Sequence, residues 1–356
     1  MSAGRSVTLS WTGKPSLATP AAEAGPARRF ETPCGRGRYL FGDNLSALAE
    51  LAREAPGSVT LAYLDPPFLT NRVHEAVTRE KDSGSRAILR TKRAAFDDRW
   101  EDRASYLEAL APRIAAARDL LAPHGSIVVH VDPKTSHYVK VLCDEIFGPE
   151  CFASEIVWRY RRWPSKTPNF QRVHDVLLRY RKDARVLPRF NPCFEPLAPS
   201  TLATWGTKKQ RAVFDGKGRR ARSSSTTEET AGVPMGDVWD IGVIAPIARE
   251  RTGYPSQKPE ALLERLVGAL THEGEVVLDP YAGSGTTLAV AGRMGRRFVG
   301  VDQSDVARDV TFQRLAAADL PLTEAPAAPE SATRIGDGSG GASGTVSTRR
   351  GAAIAS

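Results

Sequence analysis

"VVLDPYAGSGTTLAVAGRMGRRFVGVD", residues 276–302, is the stretch that decides the fold. An apolar run ends at Asp279, a loop with two glycines follows, a helical pattern comes next, and a second apolar run ends at Asp302. This order of strand, loop, helix and strand is the building unit of a parallel sheet. The stretch therefore predicts an α/β fold with a ligand site at the loop.

The glycine loop also restricts the kind of ligand. A phosphate-binding loop of the Walker type requires a lysine after the last glycine, and Thr286 stands there instead. A dinucleotide fingerprint requires a third small residue, where this chain has Leu288. Asp302, at the end of the next strand, is placed to accept hydrogen bonds from ribose hydroxyls. The loop therefore suits a nucleoside-type cofactor without a phosphate tail, such as S-adenosylmethionine.

Apolar runs alternate with amphipathic patterns along much of the remaining chain. Strands are predicted at 58–65, 126–132, 173–182, 275–279 and 297–303, and helices at 105–121, 135–148 and 259–270. This alternation predicts a mostly parallel sheet with helices on both faces. Four of the runs end in an aspartate, at the edge where such sheets bind ligands: Asp65, Asp132, Asp279 and Asp302. We interpret Asp132 as a helix cap because Pro133 follows it.

Composition indicates a globular enzyme rather than a membrane or disulfide-rich protein. The 356 residues are 41% hydrophobic and 25% charged. They contain no apolar run of about 18 residues, so no membrane span is expected. The four cysteines form no C-x-x-C pair, which argues against a metal site and gives no disulfide framework. A reducing, cytoplasmic setting fits this pattern.

The positive charge is concentrated in one region. The net charge is +8, and the segment from Trp158 to Arg222 holds 17 Lys and Arg against 4 Asp and Glu. A local field of this sign suits a polyanion, although a solvated basic loop is the alternative reading. A second basic stretch, residues 79–95, is expected to be a mobile loop.

A second motif stands in "LAYLDPPFLTN", residues 61–71. With it and the glycine loop, the chain resembles the amino-group DNA methyltransferases, which methylate the exocyclic nitrogen of adenine or cytosine. The matching segments are "LDPPF", "LDPYAGSGTT", "RTGYPSQKPEALLERLV" (251–267) and "LFGDNLSAL" (40–48). The catalytic motif comes before the cofactor loop, which is the circularly permuted beta arrangement. The resemblance covers about residues 36–310.

The resemblance implies a Rossmann-like S-adenosylmethionine-dependent methyltransferase fold with an inserted target-recognition region. We expect a catalytic half at 30–158, a target-recognition or DNA-binding insertion at 159–250 and a cofactor-binding half at 251–318. The tails, 1–29 and 319–356, are expected to be disordered because their composition cannot bury enough surface to offset chain entropy.

The resemblance also assigns roles to residues. The catalytic turn consists of Asp65, Pro66, Pro67 and Phe68. An amine conjugated to a base ring is a poor nucleophile, so acceptors on Asp65 and on the Pro66 carbonyl would hold its hydrogens while Phe68 stacks on the flipped base. Lys258 is expected to contact the cofactor, and the alternative for this residue is a plain surface lysine at the start of a helix. The implied cofactor contacts are Asp43, Leu45, Asp65, Lys258, Asp279, Tyr281, Gly283, Gly285, Thr286, Thr287 and Asp302.

The expected DNA contacts lie in the basic middle region. "VWRYRRWPSKTPNFQRVHD" interleaves arginines with aromatic rings, which suits phosphate contact and base stacking. Trp158 and Tyr160 alternate as in a strand and are expected to be core residues. The candidate DNA-binding residues are Arg159, Arg161, Arg162, Lys166, Arg172, Lys208, Lys209, Arg211, Arg219 and Arg220.

These observations predict site-specific methylation of double-stranded DNA, with N6 of adenine favoured as the acceptor. The alternatives are N4 of cytosine, an RNA acceptor, or an inactive homologue that only binds nucleic acid. A cognate restriction endonuclease and a homodimer are the further partners that the resemblance implies.

Overall fold

A ten-stranded sheet lies at the centre of the computed structural model, which describes residues 7–14, 17, 28–81, 88–164, 166, 168–209, 213–221 and 228–325. The strands are β1 (Arg28–Glu31), β2 (Gly37–Phe41), β3 (Val59–Leu64), β4 (Val73–Lys81), β5 (Ile88–Asp97), β6 (Leu121–Val131), β7 (Phe152–Arg159), β8 (His174–Arg181), β9 (Phe194–Glu195), β10 (Val213–Phe214), β11 (Arg220–Ala221), β12 (Val233–Pro234), β13 (Val238–Asp240), β14 (Val276–Asp279), β15 (Arg297–Asp302) and β16 (Thr323–Glu324). The helices are α1 (Asn44–Glu54), α2 (Arg103–Leu120), α3 (Ser136–Phe147), α4 (Pro199–Trp205), α5 (Glu260–Leu270), α6 (Thr286–Arg293) and α7 (Asp305–Ala317), with a 3₁₀ turn at Pro149–Cys151.

The sheet order is β13-β7-β8-β6-β3-β14-β15-β2-β1-β16. Its pairings are parallel from β6 through β3, β14 and β15 to β2, and the remaining pairings leave only β8 and β1 running against the common direction. The expected mostly parallel α/β sheet is therefore confirmed. The carboxyl ends of five neighbouring strands meet at one edge.

Helices cover both faces of this sheet. β3 is buried at every position because it lies between parallel neighbours. Its residues Leu61 and Tyr63 pack into a hydrophobic cluster with α5 and α6, whereas Ala62 and Leu64 pack into a second cluster with α1, α2 and α3. Strand alternation thus supplies two cores, one on each side.

Polar residues set the starts of several helices. The Asp43 carboxylate accepts a hydrogen bond from the Ser46 amide at the start of α1, and Asp102 does the same for Ser105 at the start of α2. Such caps satisfy amides that have no partner within the helix. None of the described helices is long and apolar enough to cross a membrane.

The expectation of a mobile loop at 79–95 is wrong. β4 and β5 form an antiparallel hairpin, of which residues 82–87 lie outside the described part. Its stability comes from tertiary packing, because Ala76 and Ala95 are buried against Val306 and Val310 of α7. Where the side chains of β4 and β5 are described, the buried positions are Ala76 and Ala95, and such small residues give a weak strand pattern in a basic sequence.

The segment 159–250, expected as an insertion, shares the central sheet. β8 and β13 lie inside it, and both are strands of the same ten-stranded sheet as β3. The sheet also extends past residue 318, because β16 pairs with β1. In the N-terminal tail, the Trp11 indole donates to Glu108 of α2 at 2.8 Å. The tail residues 1–6, 15–16, 18–27 and 326–356 lie outside the described residues.

Candidate active site

A pocket of about 730 Å³ opens at the carboxyl edge of the parallel strands. Asp65 follows β3, Asp279 ends β14, and Asp302 ends β15, so the strand order brings the three carboxylates to the same edge. The catalytic turn and the glycine loop, distant in sequence, both line this pocket. The sequence-predicted residues that line it are Asp65, Pro66, Pro67, Phe68, Lys258, Asp279, Tyr281, Gly283, Thr286, Thr287 and Asp302.

Asp65 forms an ion pair inside the pocket. The Lys258 ammonium donates to both carboxylate oxygens, with an Nζ–Oδ1 distance of 2.7 Å. Lys258 is buried, so the alternative reading as a surface lysine is wrong. Its ammonium also lies 4.9 Å from the centroid of the Phe68 ring, within the range of a cation–π contact. On the opposite side, Nδ1 of His130 lies 3.8 Å from Oδ1 of Asp65.

A buried carboxylate outside the motif fixes the backbone after the two prolines. Asp98 accepts hydrogen bonds from the amides of Phe68 (3.2 Å), Leu69 (2.9 Å) and Thr70 (2.8 Å). The indole of Trp100 donates to it as well, at 3.0 Å. Leu69 has a φ of 56°, a left-handed conformation that side chains rarely adopt without compensation. The convergent amides supply that compensation, so Asp98 holds the Phe68 backbone in place.

The glycine loop adopts conformations that only glycine accepts easily. Gly283 and Gly285 have φ values of 50° and 70°, and a Cβ on Gly285 would lie 2.8 Å from Oγ1 of Thr311. The Gly283 amide donates to Oδ2 of Asp302 at 2.9 Å, which ties the loop to the end of β15. α6 then begins at Thr286, with its unpaired amides directed toward the pocket edge.

Burial changes the acidity of two pocket carboxyls. Burial, together with the charges of Asp65 and Asp302, raises the pKa of Asp279 to about 7, although hydrogen bonds from Thr287 and the Tyr281 amide act against this shift. Burial also raises the pKa of Asp302 above its ordinary value, against hydrogen bonds from backbone amides. Burial thus disfavours the ionised form of both carboxyls, and a positively charged ligand in the pocket would stabilise that form.

The structure gives Asp43 and Leu45 other tasks than the expected cofactor contact. Asp43 caps α1 and pairs with Arg113 at 3.1 Å, whereas Leu45 packs against the core cluster of α1 and α2. Their neighbours Gly42 and Asn44 line the pocket instead. The turn before α1 therefore lies at the pocket as predicted, but successive residues of this turn face different sides. Gly42 and Asn44 face the pocket, and Asp43 and Leu45 do not.

The loop between β7 and β8 emerges at the same edge as the pocket, because β7 is parallel to β6. Trp158 and Tyr160 at its start are buried, as expected. Trp163 and Phe170 further along are 93% and 98% exposed. Arg162 stacks on Tyr160 and donates to its hydroxyl at 3.2 Å. The loop thus presents exposed rings and basic residues, among them Arg161 and Lys166, beside the site.

Several of the expected DNA-binding cations are already paired with carboxylates. Apart from the pair of Arg172 with the buried Asp132, these ion pairs are exposed and contribute little to stability, so phosphate groups are able to replace the carboxylates. Arg211 and the side chain of Arg220 lie outside the described residues. The paired cations are Arg159, Arg172, Lys208, Lys209 and Arg219, and their partners in the same order are Asp240, Asp132, Glu229, Glu228 and Asp215.

Sequence reasoning missed Asp98 and His130, which both contact the catalytic turn. The sequence does contain a signal for His130, because a histidine stands within the apolar run "SIVVHV" of a predicted buried strand. In the structure, every position around it is buried. Asp98 had none, because its partners lie 28 to 30 residues earlier at a spacing that no local rule produces.

A protein-family model described as DNA methylase matches residues 59–313. This match spans more than half of the chain, which therefore belongs to the family of N6- and N4-amino DNA methylases. The type II methyltransferase M.EcaI of Enterobacter cloacae is 27% identical over 333 residues, covering 80% of this chain and 70% of that protein. The DNA adenine methyltransferase YhdJ of Escherichia coli (strain K12) is 28% identical over 257 residues, covering 72% and 76%. The type II methyltransferase M2.DpnII of Streptococcus pneumoniae is 44% identical over 86 residues, covering 24% and 32%.

The family match confirms the resemblance derived from the two motifs. The chain is a DNA methyltransferase that uses S-adenosylmethionine, as expected. The choice between adenine and cytosine is left open, because the family includes both N6 and N4 enzymes.

Replacing Asp98 tests the clamp on the catalytic turn. We expect Asp98→Ala to lower the free energy of unfolding by about 2–4 kcal/mol, because three amides would be buried without an acceptor. Asp97→Ala is the matched control, since the neighbouring Asp97 is exposed and pairs with Arg99. Urea denaturation of both variants measures the effect. Equal denaturation midpoints would show that the clamp contributes nothing.

Proposed function

We propose that this DNA methyltransferase acts on the N6 amino group of adenine at a specific site in duplex DNA. The observation that carries the proposal is the convergence of the Asp65 turn and the glycine loop in one pocket of a chain from this family. The name of the Escherichia coli relative, a DNA adenine methyltransferase, supports adenine. The second candidate, N4 of cytosine, is retained because the family model covers it.

Asp65 and Pro66 are the groups that would hold the target amine. Each carboxylate oxygen of Asp65 has two lone pairs, so the ammonium of Lys258 leaves room for an amine hydrogen. The carbonyl of Pro66 offers a second acceptor at the same turn, and two prolines restrict how far it moves. Held in this way, the amine directs its lone pair away from the base ring. Pre-positioning of this kind lowers the barrier without acid catalysis.

The pocket fits S-adenosylmethionine through its own chemistry. Gly283 lines the pocket, whereas Gly285 lets the loop pack closely against Thr311 of α7, since a Cβ there would lie 2.8 Å from Oγ1 of Thr311. Asp302 keeps lone pairs for ribose hydroxyls while it accepts from the Gly283 and Ser304 amides. Asp279 adds a second buried carboxylate for a ligand with net positive charge. When bound, the cofactor supplies an electrophilic methyl group.

Nucleoside analysis of methylated DNA tests the proposed acceptor. Duplex DNA treated with the protein and S-adenosylmethionine is digested to nucleosides and analysed by mass spectrometry. We expect N6-methyladenine, and sequencing of the product locates the recognition site. N4-methylcytosine would establish the second candidate, methylation of RNA alone would refute both, and no product would indicate an inactive homologue.

The same assay with Asp65→Asn tests the catalytic assignment. We expect the methylation rate to fall by about 100- to 1,000-fold or more, because a neutral amide is a weaker acceptor for the amine hydrogen and carries no negative charge to take the released proton. Calorimetry of cofactor binding should change little. Asp183→Asn is the control that keeps full activity, since Asp183 is a half-buried carboxylate that pairs with Arg185 just beyond β8. Undiminished methylation by Asp65→Asn would disprove the assignment.

The acidity of Asp279 makes cofactor affinity depend on pH. The pKa of about 7 means that Asp279 is charged above neutral pH and protonated below it. S-adenosylmethionine carries a net positive charge, so its Kd should rise as the pH falls through 7, by up to about tenfold per pH unit. Calorimetric titration at several pH values measures this dependence, and Asp279→Asn should flatten it. A Kd that is constant across this range in the wild type would exclude a charged role for Asp279.

DNA affinity should depend steeply on salt, because cations beside the pocket would replace counterions on phosphates. We expect the double variant Arg161→Ala, Lys166→Ala to bind all sequences more weakly and to reduce the slope of log affinity against log salt by up to about 2. Arg185→Ala is the matched control, since Arg185 is exposed just beyond β8 at the opposite edge of the sheet. If the double variant and the wild type had the same slope of log affinity against log salt, DNA would not bind at Arg161 and Lys166.

We propose the remaining partners and the setting on family grounds. A homodimer and a cognate restriction endonuclease stay predictions, and sedimentation analysis of the purified chain tests the first. Cytoplasmic localisation also stays a prediction. The free state of all four cysteines in the structure supports a reducing setting.

A further inference from the structure

A buried histidine stands behind the catalytic carboxylate. His130, on β6, is 0% exposed, and its two ring nitrogens face two different carboxylates. Nδ1 lies 3.8 Å from Oδ1 of Asp65, and Nε2 lies 3.4 Å from Oδ2 of Asp175 on β8. The positioning of the amine and the cofactor site give His130 no task. A polar ring at this depth between two carboxylates therefore requires an explanation.

The hydrogen-bond network assigns the hydrogen on the ring. Burial acts to raise the pKa of Asp175, but hydrogen bonding and charge from His130, with Lys258 and Tyr160, outweigh it and hold this pKa below its usual range. Asp175 is therefore ionised near neutral pH and accepts only, so Nε2 carries the hydrogen. The hydroxyl of Tyr63, 2.7 Å from Nδ1, then donates to that nitrogen. The nitrogen that faces Asp65 is thus the one with a lone pair.

The reaction releases a proton that must leave the target nitrogen. An amine that gains a methyl group carries one hydrogen too many, and Asp65 is the carboxylate placed to take it. In the described part of the chain, two side chains lie within 4.0 Å of Asp65 as ion-pair partners, Lys258 and His130. The ammonium of Lys258 already carries its full set of hydrogens. Nδ1 of His130 carries the one lone pair of the ring, which accepts from Tyr63 and becomes available to a proton when the Tyr63 hydroxyl turns its hydrogen away.

We propose that His130, oriented and charge-balanced by Asp175, receives the proton that Asp65 takes from the methylated amine. This inference rests on the proposed function. The amine N–H bond breaks, the proton binds a carboxylate oxygen of Asp65, and it then passes to Nδ1 of His130. The Tyr63 hydroxyl turns at the same time, so that it accepts from Nδ1–H instead of donating to Nδ1. Asp65 is left ionised, and the imidazolium lies between two carboxylates. The present gap of 3.8 Å between Nδ1 of His130 and Oδ1 of Asp65 must shorten by about 1 Å to reach hydrogen-bond distance.

Hydrogen bonds also connect Asp175 to the loop between β7 and β8. The hydroxyl of Tyr160 donates to Oδ1 of Asp175 at 3.0 Å, and Arg162 donates to that hydroxyl at 3.2 Å. Tyr160 and Arg162 are the first residues after β7 on the loop that carries the exposed rings. The charge of Asp175 therefore connects the reading loop to the catalytic turn. His130 and Asp175 act through Asp65 and are positioning residues rather than catalytic ones.

The test compares kcat for DNA methylation as a function of pH, at saturating cofactor and DNA. The groups that face His130 are Tyr63 and Asp65 from β3 and Asp175 from β8, with Lys258 beyond Asp65 and Tyr160 beyond Asp175. We expect the wild-type rate to fall on the acid side, because the proton path needs an unprotonated acceptor. Asp175→Asn should move this acid limb to lower pH by about one unit or more, because the imidazolium loses its counter-charge.

Two further variants and a control complete the comparison. His130→Asn should remove the acid limb and lower kcat by about 10- to 100-fold with little change in KM for DNA. Tyr160→Phe, a milder change, strips a hydrogen bond from Asp175 and should move the limb to higher pH. The matched control is His124→Asn, since His124 also lies on β6, 3.6 Å from Glu275 at the other end of the strand. It should behave as the wild type.

A readout on the free protein separates this role from a structural one. Proton NMR should show a slowly exchanging, downfield Nε2–H of His130 that disappears in Asp175→Asn and persists in His124→Asn. An active wild type whose acid limb stays in place in folded Asp175→Asn and Tyr160→Phe would overturn the proton path alone. A wild type that methylates no DNA would overturn the proposed function and the path together.

Discussion

The ion pair between Asp65 and Lys258 is the interaction that joins the two halves of the site. Asp65 follows β3, and Lys258 stands just before α5, 193 residues later. A single charge at this depth is costly to desolvate, so each group is stable there only with the other. The pair therefore requires the DPPF turn and the start of α5 to meet, which closes the pocket between the catalytic and cofactor segments. A permuted chain order is tolerated because the pairing depends on strand order, not on sequence order.

The pocket and the loop beside it carry charges of opposite sign. The chain as a whole is basic, yet Asp65, Asp279 and Asp302 make the pocket acidic. Burial keeps these carboxyls from being screened, and it raises the pKa of Asp279 to about 7. An acidic pocket attracts a cationic methyl donor, whereas the basic loop beside it attracts phosphate. The two ligands are thus separated by charge before any specific contact forms.

The sequence predicted the parts of the structure that local rules govern. The glycine loop and the DPPF turn are strings of adjacent residues, and the conformations they require are built into glycine and proline. The hairpin β4–β5 was mistaken for a loop because its burial depends on α7, more than 200 residues away along the chain. The hydrogen bonds that Asp98 accepts from the catalytic turn could not be predicted, for the same reason. Long-range partners of a short motif leave no periodicity to detect.

The sheet also explains why DNA reading and catalysis need not be separate modules. β8 runs against its neighbours, so the loop before it returns to the carboxyl edge, and its early residue Asp175 faces His130 from inside the sheet. The same loop presents Trp163 and Phe170 to solvent. One antiparallel strand therefore places the buried charge of Asp175 directly after the exposed loop that we propose as the DNA-reading surface.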